Sequence, residues 1–328
     1  MATTESKSEF LIRRLGHFSI AFFALLVINF AIPRIMPGDP TTQFVGPGFT
    51  EATRQRMLEQ FGLTEPMWQQ FLLYVVNTLS GNFGVSFSRY PTPVFELVMG
   101  RLPRTLFLMG ASVSLSVAIG VPLGAFGAWK FGQRQDIVIT QGSLLFRTIP
   151  TFWLAILMLF IFGFLIPIFP LGGVATAGTE HTGILDYMLD LTYHSVLPIV
   201  TLAAYFVAGY TFLMRASLLD ILPENYITIA QTKGLSDREV LFSHGVPPAV
   251  LPVITQLGFQ VGRLVGGAIL VEAVFSYPGM GQLMFDAVLA RDFPLIQGTF
   301  FLLTLTVLTA MLIADLLYAF LDPRVGGS

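Results

Sequence analysis

What most constrains this chain is a series of apolar runs. Six stretches of about 20 residues carry almost no charge, the length an α-helix needs to cross a hydrocarbon core of about 30 Å. The first is Leu15–Pro33. The second is Thr105–Trp129, with Pro122 inside it. The third is Ile137–Phe146 joined to the inner part of Thr148–Thr179, expected as one helix ending near Ile166. Pro167, Pro170, Gly172, Gly173 and Gly178 then form a turn-rich segment outside the membrane. Leu191–Met214, Pro247–Val271 (interrupted by Arg263) and Phe293–Ala314, extended towards Phe320, complete the set. Lipid offers no partner to a free backbone N–H or C=O, so runs of this kind imply helices. The expected fold is all-α: a polytopic membrane protein with six transmembrane helices and an outer helical insertion after the first.

Composition narrows the class. Only 12% of the 328 residues are charged and 54% are hydrophobic, against roughly 25% charged in soluble proteins. That excludes a soluble enzyme and a disordered chain, and a net charge of −2 offers no basic field to a nucleic acid. The absence of cysteine excludes disulfides, thiolate metal sites and a thiol nucleophile. His17, His181, His194 and His244 lack metal-ligand spacing, so no metal site is expected.

Lys7, Arg13 and Arg14 before the first run, Lys130 and Arg134 after the second, Arg215, Lys233 and Arg238 after the fourth, and Arg324 at the end mark one side as cytoplasmic. Both termini are expected there, in a multi-pass plasma-membrane protein. The first run exceeds a signal-peptide h-region and lacks a small-residue cleavage pattern, so it is expected to be retained. The layout is then 1–33, the N-terminus and first helix; 34–102, the outer insertion; and 103–328, a five-helix core with a cytoplasmic loop over 219–248. In the insertion, Thr50 and Gly62 bracket one short helix. Thr64-Glu65-Pro66 opens another bearing Trp68, Phe71, Leu72, Val75 and Leu79, at about 13 residues too short to cross. It is expected on the membrane surface or against the outer mouth.

No GxxxxGK[ST], GxSxG, HExxH or GxGxxG occurs, so nothing marks a nucleotide cradle or hydrolytic site. Work against a gradient needs a partner or a coupling ion. The longest inner loop, Asp220–Pro248, predicts two short helices. One covers Glu224–Lys233, between Pro223 and Gly234. The other opens on the Ser236-Asp237-Arg238-Glu239 capping box and ends near His244-Gly245, before Pro247-Pro248. Such a hairpin is either a rigid knob for a soluble partner or an ordinary polar surface.

The loop resembles the EAA loop of ABC importer permeases. Thr228-Ile229-Ala230 stands at E-A-A, Gly234 at its glycine, and His244-Gly245-Val246-Pro247 at I-x-L-P. Ala230-Gln231-Thr232-Lys233-Gly234-Leu235, with His244 and Leu251-Pro252, is similar to the oligopeptide/dipeptide branch. So are Pro37-Gly38-Asp39-Pro40, Gly81-Asn82-Phe83-Gly84-Val85-Ser86 (Asn82 replacing an acid), Glu272 to Gly281 (Ala273 replacing Thr) and Asp322-Pro323-Arg324. These motifs keep their order along nearly the whole chain.

The resemblance implies a type I ABC importer permease subunit, not itself an enzyme, that forms half of a translocation path for peptides. Oligosaccharides, glutathione or a nickel chelate are the cargo of relatives. Implied partners are a second homologous permease subunit, two ATPase subunits, an extracytoplasmic binding protein and the lipid bilayer. By the same resemblance this chain would bind no cofactor, and ATP-Mg would sit on the ATPase subunits. Asn225, Tyr226, Thr228, Ile229, Ala230, Lys233, Gly234, Leu235, His244 and Pro247 would couple to the ATPase. Glu272, Phe275, Tyr277, Pro278 and Gly279 would form an outer gate or docking loop.

Charges inside a span must face protein or water. Arg263 lies about 20 Å along its helix from Val250 and Asp315 about 7–8 Å from Phe320, too far apart in depth to pair. Arg263 is expected to line a hydrated path with Gln256 and Gln260, or to meet a neighbouring subunit. Asp315 is matched instead with Arg147. Asn29 is expected to bond between helices, and Gly258, Gly262, Gly266 and Gly267 to permit close helix approach. Two other classes remain at this point: a secondary transporter, which would use intramembrane acids such as Asp315, and an intramembrane hydrolase or scaffold.

Overall fold

The computed structural model describes residues 7–35, 65–176 and 178–321, with the side chains of residues 7–11 and 33 and of some residues in 255–267 and 314–321 excepted. The described elements are helical: α1 (Lys7–Ile35), α2 (Met67–Leu79), α3 (Val94–Trp129), α4 (Arg134–Thr148), α5 (Thr151–Leu159), α6 (Ile184–Ile221), α7 (Asn225–Thr232), α8 (Asp237–Glu239), α9 (Val246–Val274), α10 (Met280–Leu289) and α11 (Phe293–Leu321). Two π turns, Phe160–Leu165 and Val240–Gly245, follow α5 and α8. The Thr50–Gly62 helix, the 37–40 motif and the 322–324 motif lie outside the described residues.

The chain divides into two compact units, residues 1–105 with 278–328, and residues 106–277. In the first, α1 packs along α11 through Leu25, Leu26 and Phe301. Asn29 Nδ2 donates to the Gln297 carbonyl (3.0 Å) and to Tyr74 Oη (2.9 Å), and Gln297 Nε2 returns a bond to the Asn29 carbonyl, the interhelical role expected of Asn29. α2 lies on α1 by the Phe30, Phe71 and Tyr74 rings. Its other face, with Trp68, Leu72, Val76 and Leu79, is exposed.

The Gly81–Ser86 motif is a structural clasp in this unit. Gly81 and Gly84 take positive φ (77° and 76°), and Asn82 Oδ1 accepts the Gly84 N–H, so the Asn82 amide serves in a local turn. The helix that follows starts at Val94. The boundary expected after residue 102 therefore falls inside α3, because Arg101, Pro103 and Arg104 do not end the helix that the apolar run continues.

In the second unit, Leu108, Leu202, Phe206, Tyr210, Met214, Val253 and Val271 build the main core. α3 meets α6 through Gly120 and Gly124. A Cβ on Gly124 would lie 2.4 Å from the Thr211 carbonyl oxygen and 2.8 Å from Met214 Cβ, so the two backbones touch there. Gly124→Ala must part these helices. We expect it to cost about 1–3 kcal/mol by overpacking, read as a lower melting temperature of the detergent-solubilised protein; an unchanged melting temperature would show the seam to be slack.

The third span is not one helix. α4 and the segment beginning at α5 meet at 96°, and Ile149 is extended (φ −77°, ψ 126°). Pro150 causes the break: it has no N–H to bond and its ring disfavours helical backbone at the residue before it. Among the described residues four helices are long and apolar enough to cross a membrane, or five if the bent pair is one span. Reaching six requires α9 as well, whose 29 residues extend about 43 Å.

Candidate functional site

The loop between α6 and α9 is built from local rules. Pro223 and Glu224 end the preceding helix, and α7 starts with Glu224 in extended conformation. Two residues of α7 three positions apart turn inward: Ile227 and Ala230 are buried against Val240, with Ile221 beside them. The opposite face is exposed and carries Asn225, Tyr226, Thr228 and Ile229. Burial and the neighbouring Glu224 charge push the Tyr226 hydroxyl pKa up.

Gly234 closes α7 with φ +80°, its N–H donating to the Gln231 carbonyl at 3.0 Å. No atom lies within 4 Å of where a Cβ would be, so the glycine is required by backbone conformation and not by space. Ser236 then caps α8 as the sequence predicts. Its Oγ accepts the Glu239 N–H, and its own N–H donates to Glu239 Oε2 at 3.0 Å. The Ser236 hydroxyl, which donates to Glu239 Oε2 at 2.8 Å, and the Ser236 N–H hold the Glu239 carboxyl below its ordinary pKa.

The expected stop near His244-Gly245 is absent. Helical backbone runs from α8 through the π turn into α9, with Pro247 and Pro248 in the first turn of α9. Neither proline can donate to the turn behind it, and the wider i→i+5 turn accommodates the missing bonds and the ring bulk. Gly245 lets this turn approach α6, since a Cβ there would sit 3.1 Å from Leu218 Cδ1. His244 is half-buried, its Nδ1 enclosed with no hydrogen-bond partner among the described residues.

The coupling residues expected from sequence thus fall into two groups. Ala230 and Gly234 shape the loop from within. Tyr226, Ile229, Lys233, Leu235 and Pro247 face out, joined by Phe242, which is 57% exposed and which no motif pointed to. Tyr226, Ile229, Leu235 and Phe242 give this otherwise polar loop an apolar exposed surface of the kind that marks an interaction site.

A second feature of this unit was also missed. Arg215, ahead of the loop on α6, grips Asp136 on α4 with both arms, Nε to Oδ1 at 2.6 Å and Nη2 to Oδ2 at 2.8 Å. The Asp136 carboxylate also accepts the Gly132 N–H (3.0 Å) and Thr140 Oγ1 (3.3 Å). The available signal was that Asp136 is the sole acid between Glu96 and Glu180.

The expected outer-loop residues are mostly interior. Glu272, Phe275, Tyr277 and Gly279 are buried and Pro278 is half-buried. In the 106–277 unit the Phe275 carbonyl accepts the Gly173 N–H (3.2 Å), and Tyr277 Oη accepts from Ser195 Oγ (3.2 Å). In the other unit the Pro278 carbonyl faces Arg104 Nη1 at 3.4 Å, and the Met280 N–H donates to Thr105 Oγ1 at 2.7 Å. The residue left outward is Ser276, at φ +46°. The fold also brings His181 and His194 to either side of Asp190, each at 3.0 Å, a contact their spacing did not reveal.

Of the path residues, Gln256 is half-buried, while the Gln260 and Arg263 side chains lie outside the described residues. So does that of Asp315, which leaves the expected pairing with Arg147 outside them as well; Arg147 itself is exposed at the end of α4.

Helices long and apolar enough to cross a membrane, with a loop anchored from within by Ile227 and Ala230, are the features of a multi-pass membrane protein. Residues 120–327 match the family described as the binding-protein-dependent transport system inner membrane component, and residues 8–109 match the N-terminal region of the same class. The chain is 36% identical over 318 residues to the oligopeptide transport system permease protein AppB of Bacillus subtilis strain 168, covering 97% of this chain and 99% of that one. It is 32% identical over 334 residues to the dipeptide transport system permease protein DppB of Escherichia coli K12, covering 97% and 98%. The di/tripeptide transport system permease protein DppB of Pseudomonas aeruginosa strain UCBPP-PA14 is 31% identical over 331 residues, with the same coverage. The chain belongs to the binding-protein-dependent inner membrane components, the permeases of ABC importers.

Proposed function

We propose that this chain is the transmembrane permease subunit of an ATP-driven, binding-protein-dependent importer of peptides. It forms half of the path with a second homologous permease subunit, and two ATPase subunits carry the ATP-Mg. This chain contributes no catalysis and binds no cofactor; an extracytoplasmic binding protein delivers the peptide. Both termini and the 222–245 loop lie on the cytoplasmic side, as the Lys and Arg bias of the short loops indicates. Peptide cargo is supported by relatives named for oligopeptides, dipeptides and di/tripeptides over almost their full lengths.

The single observation that carries the mechanism is the loop itself. Ile227 and Ala230 anchor α7 against Val240, while Tyr226 and Ile229 project from its outer side. A partner that grips those side chains moves α7, and with it α6 before it and α9 behind. ATP binding then needs only to favour one of two arrangements of these rigid helices for the path to alternate. Peptide uptake into vesicles holding the purified complex is expected to require internal ATP and to survive an ionophore. Uptake abolished by the ionophore at constant ATP would overturn this reading in favour of ion coupling.

A further inference from the structure

We infer that the Asp136–Arg215 pair is the joint through which movement of the ATPase-facing loop reaches the third span, making both residues positioning residues for transport. This rests on the coupling role proposed for the 222–245 loop.

Three observations converge. First, α6 is one helix from Ile184 to Ile221, and Arg215 lies about 9 Å from its loop end. Only Leu222, Pro223 and Glu224 separate it from α7, so a displacement of α7 acts directly on the part of α6 that holds Arg215. Second, α4 has almost no apolar attachment of its own. Its buried residues are Asp136 and Ser143, while Ile137, Val138, Leu144 and Leu145 are exposed. Ile139 is half-buried near Gly127 of α3, so the fully buried attachment of α4 is polar and centred on the Asp136 carboxylate.

Third, that carboxylate is a meeting point. It accepts from Arg215 on α6, from the Gly132 N–H in the turn before α4, and from Thr140 on α4 itself. Gly127 of α3 lies close by, since a Cβ there would be 3.5 Å from Asp136 Oδ1 and 3.7 Å from Arg215 Cδ. The Phe131 ring covers the guanidinium at 5.3 Å.

A bidentate Arg–carboxylate pair has a fixed geometry and transmits orientation as well as position. The Asp136 side chain is 5% exposed and that of Arg215 22%, so water cannot readily substitute for the guanidinium at the carboxylate. Beyond α4, the 96° corner at Ile149-Pro150 leads to α5, which packs on α6 and α9. A push on α7 thereby rotates α4 and α5 together with α6, instead of sliding α6 past them.

The test uses the complete complex in liposomes, loaded with ATP and supplied with binding protein and an isotopically labelled mixture of short peptides. The readouts are ATPase copurification, ATP hydrolysis, and peptide taken up per ATP hydrolysed. Asp136→Asn is expected to leave copurification and hydrolysis within about twofold and to lower the peptide-to-ATP ratio at least about tenfold, since it removes one charge of a buried pair. Arg215→Lys, which keeps the charge but not the fork, should fall between, and Asp136→Glu should recover much of the ratio.

A wild-type ratio in Asp136→Asn overturns the inference. So does parallel loss of assembled complex, hydrolysis and uptake in both Asp136→Asn and Arg215→Lys, which would make the pair purely structural. If the wild-type chain copurifies with no ATPase, it is the importer reading that fails, and the two failures are distinguishable.

Discussion

Ile229→Glu is expected to abolish peptide uptake and the capture of ATPase subunits while leaving the permease folded. Ile229 is 53% exposed on the outward side of α7, so a charged side chain there meets water in the isolated chain and disturbs no packing. In the complex it would be buried against the partner. Burying an isoleucine contributes about 1.5–3 kcal/mol, and placing an unpaired carboxylate in the same spot adds a desolvation penalty of several kcal/mol. Ile229 is already about half covered in the isolated chain, so the lost burial is about half that figure, and the desolvation penalty carries most of an affinity loss of more than about tenfold. Copurification of the ATPase from membranes, together with the melting temperature of the permease, separates loss of contact from loss of fold.

Ala230→Leu is the informative contrast. Ala230 is 3% exposed and points the other way, into Ile227 and Val240. Three added carbons have no room and would lever α7 away from its seat, so coupling and local stability should fall together. Equal permease stability in the two variants, with ATPase capture retained by Ile229→Glu, would refute the assignment of inner and outer faces.

The difference between these neighbours shows what the sequence could and could not convey. The glycine stop at Gly234 and the capping box at Ser236 were legible because each depends on residues no more than three positions apart. The end of the second loop helix was misjudged at Pro247-Pro248. A proline is compatible with the first turn of a helix, and a π turn behind it absorbs the lost donors. Pro150 posed the opposite problem: an apolar run on both sides argued for continuity, yet Ile149 could not stay helical before it. The Arg215–Asp136 pair joins residues 79 apart, and only the packing of α4 on α6 brings them together. Recurring motifs marked the Glu272–Gly281 segment, but not that Tyr277 and Phe275 spend their side chains on its interior.

The same distinction between motif and role governs the other large effect, expected at Asp292. This residue is fully buried just ahead of α11, and no motif drew attention to it. Its Oδ2 accepts Ser86 Oγ (2.5 Å), the Ser88 N–H (2.9 Å) and Ser88 Oγ (2.7 Å), while Oδ1 accepts the Leu295 N–H (3.2 Å). One carboxylate thus caps the last helix and fastens the loop that follows the Gly81–Ser86 motif. Asp292→Ala leaves the buried Ser86 hydroxyl without its acceptor, at about 1–3 kcal/mol, in addition to about 1 kcal/mol for the lost cap on the Leu295 N–H, while the exposed Ser88 donors can turn to water. A total of about 2–4 kcal/mol is a large share of a typical folding free energy. We expect little folded protein in membranes, and a sharp drop in melting temperature for what is recovered. Asp292→Asn keeps one oxygen but turns an amide donor towards Ser86 and Ser88, so it should rescue only part of the loss. Full stability of Asp292→Asn would show that the hydroxyl and N–H donors of Ser86 and Ser88 do not depend on the carboxylate, and that the clasp is held by the backbone bonds between Ser86 and Thr92 and between Val94 and Gly84.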